Sequence, residues 1–485
     1  MRLETLLAQA EAMHQELGRE YYLTGAGLKG DPEFQNIYRK YAELVSDAAL
    51  AAARASGSRS LAEWAVDTRV GRLVAPYEEQ QLVWEQEAVV EVEGYSLPYL
   101  RVPIELANCA DRGVRNALDE ARARLAAQGL ADLRRERFLT EHNAVRSLSM
   151  GEYVAAVSAL ADIDLEALGR EARGFLDRTQ AMYGDVLAQL AKRRLGVPPA
   201  ELTRADSVRL FRADQFDAAF PAETLIDTAV RQMREMGLDA TQERRVRFDT
   251  QEREGKQPRA FCVPVRVPEE VYLVLRPRGG HNDYRTFWHE LGHAMHFASV
   301  APELPFAARW LGDNSVTEGY AMLWDHLTID PAWLVRYCGI NAGDARSLTF
   351  ELAVAELFMV RRYAAKLLYE LELHRSDFTG TGARYVELLS EATGCRYLED
   401  DCLLDVDPGF YSARYLRAWQ FEAVLATRFV EQFDEDWYRN PRAGVAVHEL
   451  MGRGQADPAD RLVSEATGQQ LTFDPVVTRL EARLT

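Results

Sequence analysis

Long stretches of this 485-residue chain carry apolar residues at intervals of three and four, the spacing that places them on one face of an α-helix. These stretches are rich in alanine, leucine, arginine and glutamate, and clusters of glycine, proline and serine separate them. No repeat of fixed period is present. The pattern predicts a mainly α-helical protein, with the clearest helical segments at 4–17, 32–54, 112–128, 163–194 and 347–373.

Two regions break the helical pattern. Residues 88–102 alternate β-branched and polar side chains around a glycine, which predicts a hairpin. Three strand-like runs lie upstream of residue 280, and prolines near the middle run are typical of edge or irregular strands. We therefore expect a small β-sheet next to the helix that follows, with strands at 246–249, 260–266 and 271–276.

The chain shows no linker of low complexity between its helical segments. We therefore expect two lobes of one fold and not two independent modules. The composition changes near residue 245, where the strand-like runs begin. This change predicts an N-terminal helical lobe of residues 1–245 and a second lobe of residues 246–485.

The charge of the chain narrows the classes of partner. It has 57 lysines and arginines against 75 aspartates and glutamates, a net charge of −18. An acidic surface repels phosphate backbones and anionic headgroups, so we expect neither a nucleic-acid nor a membrane partner. No stretch approaches the roughly 18 apolar residues of a membrane-spanning helix. The oligomeric state cannot be read from the sequence.

The N-terminal segment and the cysteines bear on location. Residues 1–23 carry acidic side chains where a signal peptide needs an apolar core. The five cysteines are dispersed, which is typical of a reducing compartment. We therefore expect a cytoplasmic protein. Only five of the basic residues are lysine, which together with abundant alanine indicates a GC-rich bacterial genome.

The segment with the most specific chemistry is His-Glu-Leu-Gly-His at 289–293, an HExxH motif in a stretch predicted to be helical. Positions i and i+4 of a helix share a face, so the imidazoles of His289 and His293 can bind one zinc ion. Glu290 follows the first ligand and can take a proton from water bound to that ion.

A catalytic zinc ion needs a third protein ligand and one open position. Glu318, which lies 25 positions after His293 at the start of another predicted helix, is the favoured third ligand. His296 and His326 are alternatives that the sequence leaves open. Asp325 lies seven residues past Glu318 on the same face and can accept a hydrogen bond from a ligating histidine. We expect one zinc ion per chain.

These residues resemble a known family. The sequence HELGHAMH at 289–296, followed by Thr-Glu-Gly at 317–319, resembles the thimet oligopeptidase/oligoendopeptidase F family of zinc metallopeptidases. Residues 407–415, Asp-Pro-Gly-Phe-Tyr-Ser-Ala-Arg-Tyr, are similar to the glycine- and tyrosine-rich loop of that family. Further similar runs occur at 433–437, 452–454 and 467–468. The resemblance spans roughly residues 261–468.

The resemblance implies a two-lobed helical metallopeptidase fold around a deep channel that admits short unstructured peptides. It implies an oligoendopeptidase with oligopeptide substrates, in which Glu290 is the general base for the zinc-bound water. It also implies that a loop tyrosine contacts the substrate carbonyl. Tyr411 and Tyr415 are both candidates, because Val406 lies near the place of a family histidine and Ala418 near that of a further tyrosine.

Two features near the motif suggest contacts with a peptide. His281 lies in the loop just before the motif helix, where it is a candidate substrate-binding residue. The run 271–276 is a candidate edge strand that would pair with an extended peptide backbone. Asp405-Val-Asp407-Pro-Gly409 lacks the full ligand series of a calcium loop, so we expect a turn there.

Two other functions are compatible with the sequence. The chain is short for the family and nearer in size to the related HExxH carboxypeptidases, which need a cationic pocket for the terminal carboxylate. Arg414 and Arg417 lie near the tyrosine loop and are candidates for such a pocket. The other alternative is a catalytically silent peptide-binding scaffold, against which the intact Glu290 argues.

Overall fold

A computed structural model describes residues 1–484, and the fold is mainly α-helical as predicted. None of the helices in that range is long and apolar enough to cross a lipid bilayer. The helices of the first half are α1 (Leu3–Gly25), α2 (Phe34–Lys40), α3 (Asp47–Ala55), α4 (Arg59–Glu87), α5 (Val102–Asn108), α6 (Arg112–Ser147), α7 (Tyr153–Ala161), α8 (Leu165–Arg194), α9 (Arg204–Leu210) and α10 (Leu225–Glu235).

The helices of the second half begin with the one that carries the HExxH motif. They are α11 (His281–Ser299), α12 (Phe306–Trp310), α13 (Asn314–Asp325), α14 (Pro331–Cys338), α15 (Ala342–Leu373), α16 (Gly382–Thr393), α17 (Tyr411–Phe433), α18 (Pro441–Gly452), α19 (Ala459–Thr467) and α20 (Asp474–Leu484). The predicted helix 32–54 is in fact two helices, α2 and α3, with a short 3₁₀ turn between them.

Both predicted β regions are present. Strands β1 (Val89–Val92) and β2 (Tyr95–Pro98) form an antiparallel hairpin. Strands β3 (Val246–Asp249), β4 (Phe261–Arg266) and β5 (Glu270–Val274) form a three-stranded sheet in the order β3-β5-β4. Strand β5 pairs in parallel with β3 and antiparallel with β4. Helix α11 contacts all three strands, so the small sheet lies next to the motif helix as expected.

The prediction that residues 271–276 form an edge strand is wrong. Strand β5 is the central strand and every one of its residues is buried. Consecutive buried residues along a strand, mostly apolar here, mean that both of its faces are covered, which is typical of a central strand. Strand β4 is an edge strand instead, and Pro264 lies at its irregular point, where a missing N–H is tolerated.

The chain divides into two compact units. Unit 1 consists of Met1–Arg69, Asp214–Thr349 and Arg417–Arg479. Unit 2 consists of Val70–Ala213, Phe350–Leu416 and the residues from Leu480 onward. Each unit is assembled from segments that are far apart in the chain. The division into lobes of residues 1–245 and 246–485 stays a prediction.

In unit 1, helix α1 packs on strand β4 and on the sheet behind it. The Cα of Gly18 is so close to the strand that an added Cβ would lie 2.5 Å from the carbonyl oxygen of Pro264. One turn later the ring of Tyr22 stacks on Tyr272 at 3.6 Å between centroids, and its hydroxyl donates to Asp249. These contacts fix the sheet that flanks α11.

In unit 2, an aromatic cluster surrounds two buried histidines. A ring nitrogen of His142 on α6 lies 3.0 Å from a ring nitrogen of His374 just after α15. The rings of Tyr153, Phe378 and Phe410 lie within 6 Å of the His374 ring. Burial lowers the pKa of His142 to about 4 and that of His374 to about 3, from an ordinary 6.5.

We predict that this histidine pair makes the fold sensitive to acid. Below about pH 6.5, His142 and His374 become protonated in the unfolded chain but stay neutral in the folded chain. The free energy of unfolding therefore falls as the pH decreases towards 4. Each such proton contributes a slope of about 1.4 kcal/mol per pH unit. Urea unfolding with a chelator present, at pH 7.5 and at pH 5, measures the loss.

The variant His374→Gln should lose less stability between these two pH values than the parent. His448→Gln is the matched control, because His448 is exposed on α18. An equal loss in the parent and in His374→Gln would contradict the prediction.

Candidate metal centre

The site begins with a close approach between α11 and α13 at Gly292, the fourth residue of the HExxH motif. A Cβ added to Gly292 would lie 2.5 Å from the Cα of Ala321 and 2.8 Å from the carbonyl oxygen of Tyr320. Any side chain would force the helices apart. The glycine therefore lets the backbones meet and places Glu318 opposite the two motif histidines.

Three side chains converge at this crossing. The Nε2 atom of His289 lies 3.4 Å from Oε2 of Glu318, and the Nε2 atom of His293 lies 3.7 Å from the same oxygen. One ligand atom from each residue lies within 4.8 Å of the others. The spacing i, i+4 puts both rings on one face of α11, and they meet at 86°.

Each motif histidine is oriented by a second partner. Nδ1 of His289 lies 3.0 Å from a carboxylate oxygen of Asp325, and Nδ1 of His293 lies 2.9 Å from the hydroxyl of Thr317. Asp325 is buried, and its ionised carboxylate can only accept a hydrogen bond, so Nδ1 of His289 is the donor. These contacts engage Nδ1 of both rings and leave both Nε2 atoms facing Glu318, where a metal ion could take the place of a proton.

The charges around the cluster favour a cation between the rings. Burial opposes a proton on His289, but its hydrogen bonds to Asp325 and Glu318 raise its pKa to about 10. Burial lowers the pKa of His293 to about 4. Burial also opposes ionisation of Asp325, yet Arg285, whose Nε lies 3.7 Å away, holds the pKa of Asp325 below its ordinary value.

The donor set fits zinc. Two imidazole nitrogens and one carboxylate oxygen are the ligands of many catalytic zinc sites, which keep a further position open. The residues that would hold the ion are His289, His293 and Glu318. Among residues 1–484 this is the group of histidine, cysteine and carboxylate side chains with ligand atoms close enough to share a metal ion.

Glu290 lies beside this cluster and is held by the sheet. Its Oε2 accepts a hydrogen bond of 2.8 Å from the backbone N–H of Cys262 on β4. Burial raises the pKa of Glu290 to about 7, against an opposing effect of His289. A carboxylate with such a pKa is suited to accept and release a proton near neutral pH.

Strand β4 is not an open edge at this place. The N–H of Cys262 is already donated to Glu290, and Pro264 has no N–H to offer. Pairing of a peptide with this strand therefore lacks two of its donors. The expected role of the sheet in holding a peptide is not supported, and its evident role is to fix the carboxylate of Glu290.

The other histidines near the motif have structural partners. His296 is fully buried, and its ring lies 3.3 Å from the carbonyl oxygen of Gly454. His326 has its Nδ1 3.1 Å from a carboxylate oxygen of Glu422, away from the three clustered ligand atoms. Both positions favour Glu318 as the third ligand.

His281 begins α11 and is 3% exposed. Its Nε2 lies 3.1 Å from the carbonyl oxygen of Thr328, and its ring packs against Phe220. Burial lowers its pKa to about 4. This enclosed position fits a structural role better than contact with a substrate.

The two candidate tyrosines lie in unit 2, at the beginning of α17. Tyr411 and Tyr415 are partly exposed, and their rings meet edge to face at 5.0 Å. Arg417, which is suggested by the sequence as part of a carboxylate pocket, is buried against Asp460 at 2.6 Å and Asp313 at 3.4 Å. Its charge is therefore already neutralised by two carboxylates.

Sequence reasoning missed three contributions to the site: the hydroxyl of Thr317, the backbone N–H of Cys262 and the contact at Gly292. Thr317 immediately precedes Glu318 in the chain, and this position could have indicated a role near the site. The N–H of Cys262 could not be predicted from the sequence, because nearly every residue has a backbone N–H. The packing at Gly292 depends on a helix that begins 22 positions later.

Two solved structures have a fold similar to this one. A proposed peptidase from Chlamydophila abortus matches with a TM-score of 0.66 and 12% identity over 99% of this chain and 89% of that one. A proposed oligoendopeptidase F from Bacillus anthracis matches with a TM-score of 0.64 and 15% identity, covering 97% and 82%. No protein-family model and no curated protein matches the sequence. The similarity shows a shared, mainly α-helical fold.

We predict that removing the carboxylate of Glu318 abolishes stoichiometric zinc binding. Glu318→Ala leaves two imidazoles, which is one protein ligand fewer than a catalytic zinc site has. Zinc per chain, measured by elemental analysis after dialysis, should fall well below one. His326→Gln is the control and should keep its zinc. Loss of zinc from the control with retention in Glu318→Ala would move the third ligand to His326.

We predict a smaller effect for Asp325. Asp325→Asn removes the charge that orients His289, so zinc affinity should fall about 10- to 100-fold without loss of the site. Competition with a chromogenic chelator measures this affinity. Unchanged affinity would show that Asp325 does not support His289.

Proposed function

We propose that this chain is a zinc-dependent peptidase that hydrolyses peptide bonds within short, unstructured peptides. The observation that carries the proposal is the convergence of His289, His293 and Glu318 within 4.8 Å, with Glu290 beside them. The shared fold with a proposed oligoendopeptidase F supports the same activity. Substrates would be oligopeptides, and zinc would be the single metal cofactor.

A zinc ion with two imidazole ligands and one carboxylate ligand acidifies a coordinated water and polarises a substrate carbonyl. The protein's own contribution is geometric. Asp325 and Thr317 hold the rings of His289 and His293 so that both Nε2 atoms face Glu318. Little reorganisation is then needed when the site is loaded.

Glu290 would move the proton of the reaction. The N–H of Cys262 holds Oε2, which leaves Oε1 to accept a proton from the attacking water. The same oxygen would then deliver that proton to the departing amine nitrogen. A pKa near 7 suits both steps, because the group gains and loses a proton in each turnover.

The developing charge on the substrate carbonyl oxygen needs a hydrogen-bond donor. Tyr411 or Tyr415 would supply it through its phenol, as the resemblance to the tyrosine-rich loop implies. A well-placed donor of this kind stabilises a transition state by about 3–4 kcal/mol. In this proposal Glu290 transfers the proton, and a phenol stabilises the oxyanion.

We predict that Glu290→Gln keeps its zinc and loses peptide hydrolysis by several orders of magnitude. The amide is the same size as the carboxylate but cannot accept the proton. Turnover of a quenched fluorescent peptide and zinc content are measured on the same preparation. Glu303→Gln is the control, because Glu303 is an exposed carboxylate outside the site. Parental activity in Glu290→Gln would remove Glu290 from the mechanism.

We predict that peptides with blocked ends are cleaved as fast as free-ended ones. An oligoendopeptidase needs no terminal carboxylate, and Arg417 is neutralised by Asp313 and Asp460. Mass spectrometry of the first products from both peptides, with a chelator control, measures the cleavage position. Cleavage restricted to one residue at a free C-terminus would indicate a carboxypeptidase. Absence of chelator-sensitive cleavage of either peptide would indicate a binding scaffold.

A further inference from the structure

The segment that leads into α17 is held by two polar side chains of α15, Glu370 and Lys366. The carboxylate of Glu370 accepts hydrogen bonds from the backbone N–H of Asp407 at 2.8 Å and from the hydroxyl of Ser412 at 2.5 Å. The ammonium of Lys366 lies 2.9 Å from a carboxylate oxygen of Asp407 and 3.4 Å from one of Asp405. Glu370 is fully buried and Lys366 nearly so.

The backbone of this segment requires such support. Gly409 has φ +59° and the next residue, Phe410, has φ +54°. Two successive residues with positive φ, one of them bulky, are rare and persist only where tertiary contacts hold them. The Phe410 side chain is buried against His374, and Glu370 binds the chain on both sides of the bend.

Contacts continue from Lys366 to the candidate phenols. The ammonium of Lys366 lies 5.4 Å from the ring centroid of Tyr363, one turn earlier on α15. The Tyr363 ring lies 5.1 Å from that of Tyr415, which lies 5.0 Å from that of Tyr411. Glu370 and Lys366 therefore contact the segment just before α17 directly. Lys366 also reaches the two phenols through the ring of Tyr363.

Stability alone does not explain why these polar side chains are buried. A buried polar group or ion pair seldom stabilises a fold more than apolar side chains of the same volume. Its directional bonds instead specify one conformation of the backbone they bind. The two carboxylates that the sequence spaces like a calcium loop, Asp405 and Asp407, have Lys366 as their cation, and Arg362 also binds Asp405.

We propose that Glu370 and Lys366 are positioning residues that set the orientation of Tyr411 and Tyr415 for the reaction. This inference rests on the proposed function, in which the phenol of Tyr411 or Tyr415 donates to the substrate carbonyl oxygen. Neither residue touches substrate in this proposal. They act through the bend at 407–412, which determines where α17 begins and so where both rings point.

The first test measures the segment directly and does not need activity. Hydrogen exchange followed by mass spectrometry should show peptides spanning 404–415 exchanging at least about tenfold faster in Glu370→Met and in Lys366→Met than in the parent. Glu372→Met is the matched control, since Glu372 lies on the same helix in an exposed ion pair with Arg384. Exchange in both variants equal to that of the control would overturn the proposal.

The second test is a double-mutant cycle on peptide hydrolysis. Glu370→Met and Lys366→Met should each lower kcat about 10- to 100-fold, with KM and zinc content close to the parental values. In a background that already carries Tyr411→Phe or Tyr415→Phe, whichever is the slower enzyme, the further loss should be under about threefold. Fully additive losses in both backgrounds would overturn the positioning role.

Conservative variants separate positioning from general damage. Lys366→Arg and Glu370→Gln keep a donor and an acceptor in place, so they should recover most of the kcat lost in the methionine variants. If a methionine variant does not fold, Ser412→Ala takes its place in the cycle, because it removes only one hydroxyl from the same network. Parental kcat and exchange in Ser412→Ala and in the remaining methionine variant would overturn the proposal.

The two proposals fail in different ways. If the parent shows no chelator-sensitive hydrolysis, or if Glu290→Gln remains fully active, the proposed peptidase function fails, whereas the exchange measurement still decides whether the two α15 residues hold the segment. If hydrolysis depends on Glu290 but exchange and kcat are insensitive to Glu370 and Lys366, the positioning role fails alone.

Discussion

The contact between α11 and α13 at Gly292 is the constraint on which the candidate metal centre depends. With no Cβ between them, the two helix backbones meet closely enough for a carboxylate from one to face two imidazoles from the other. The same crossing brings Asp325 and Thr317 to the outer nitrogens of those rings. A single methyl group at this position would displace all of these atoms together, because they share two rigid helices.

The polar groups of the centre are supported from three separate parts of unit 1. Helix α11 carries the imidazoles and Glu290, helix α13 carries Glu318 and both orienting groups, and strand β4 donates one N–H to Glu290. The side chains of His289, His293 and Glu290 are thereby each held by a partner outside the three clustered ligands. Because the groups are already oriented, little free energy is lost to rearranging them during each turnover.

In unit 2, buried side chains hold a backbone segment in place in a similar way. Glu370 and Lys366 hold a bend that its own residues would not adopt in isolation, and aromatic packing around Phe410 closes it. Buried polar contacts of this kind add little to the stability of a fold, but their direction specifies one conformation. Their presence beside the tyrosine-rich segment is therefore better explained by geometry than by stability.

The helical class, the small sheet before residue 280 and the pairing of His289 with His293 follow from the sequence alone, because periodicity and the i, i+4 spacing are local properties of the chain. The central place of β5 does not follow from the sequence, because β5 pairs with β3 through residues that are 25 positions apart in the chain. The spacing along the chain also leaves Glu318, His296 and His326 open as the third member of the cluster. In the tertiary structure a ligand atom of Glu318 lies with those of His289 and His293, whereas the packing of distant helices places His326 against Glu422.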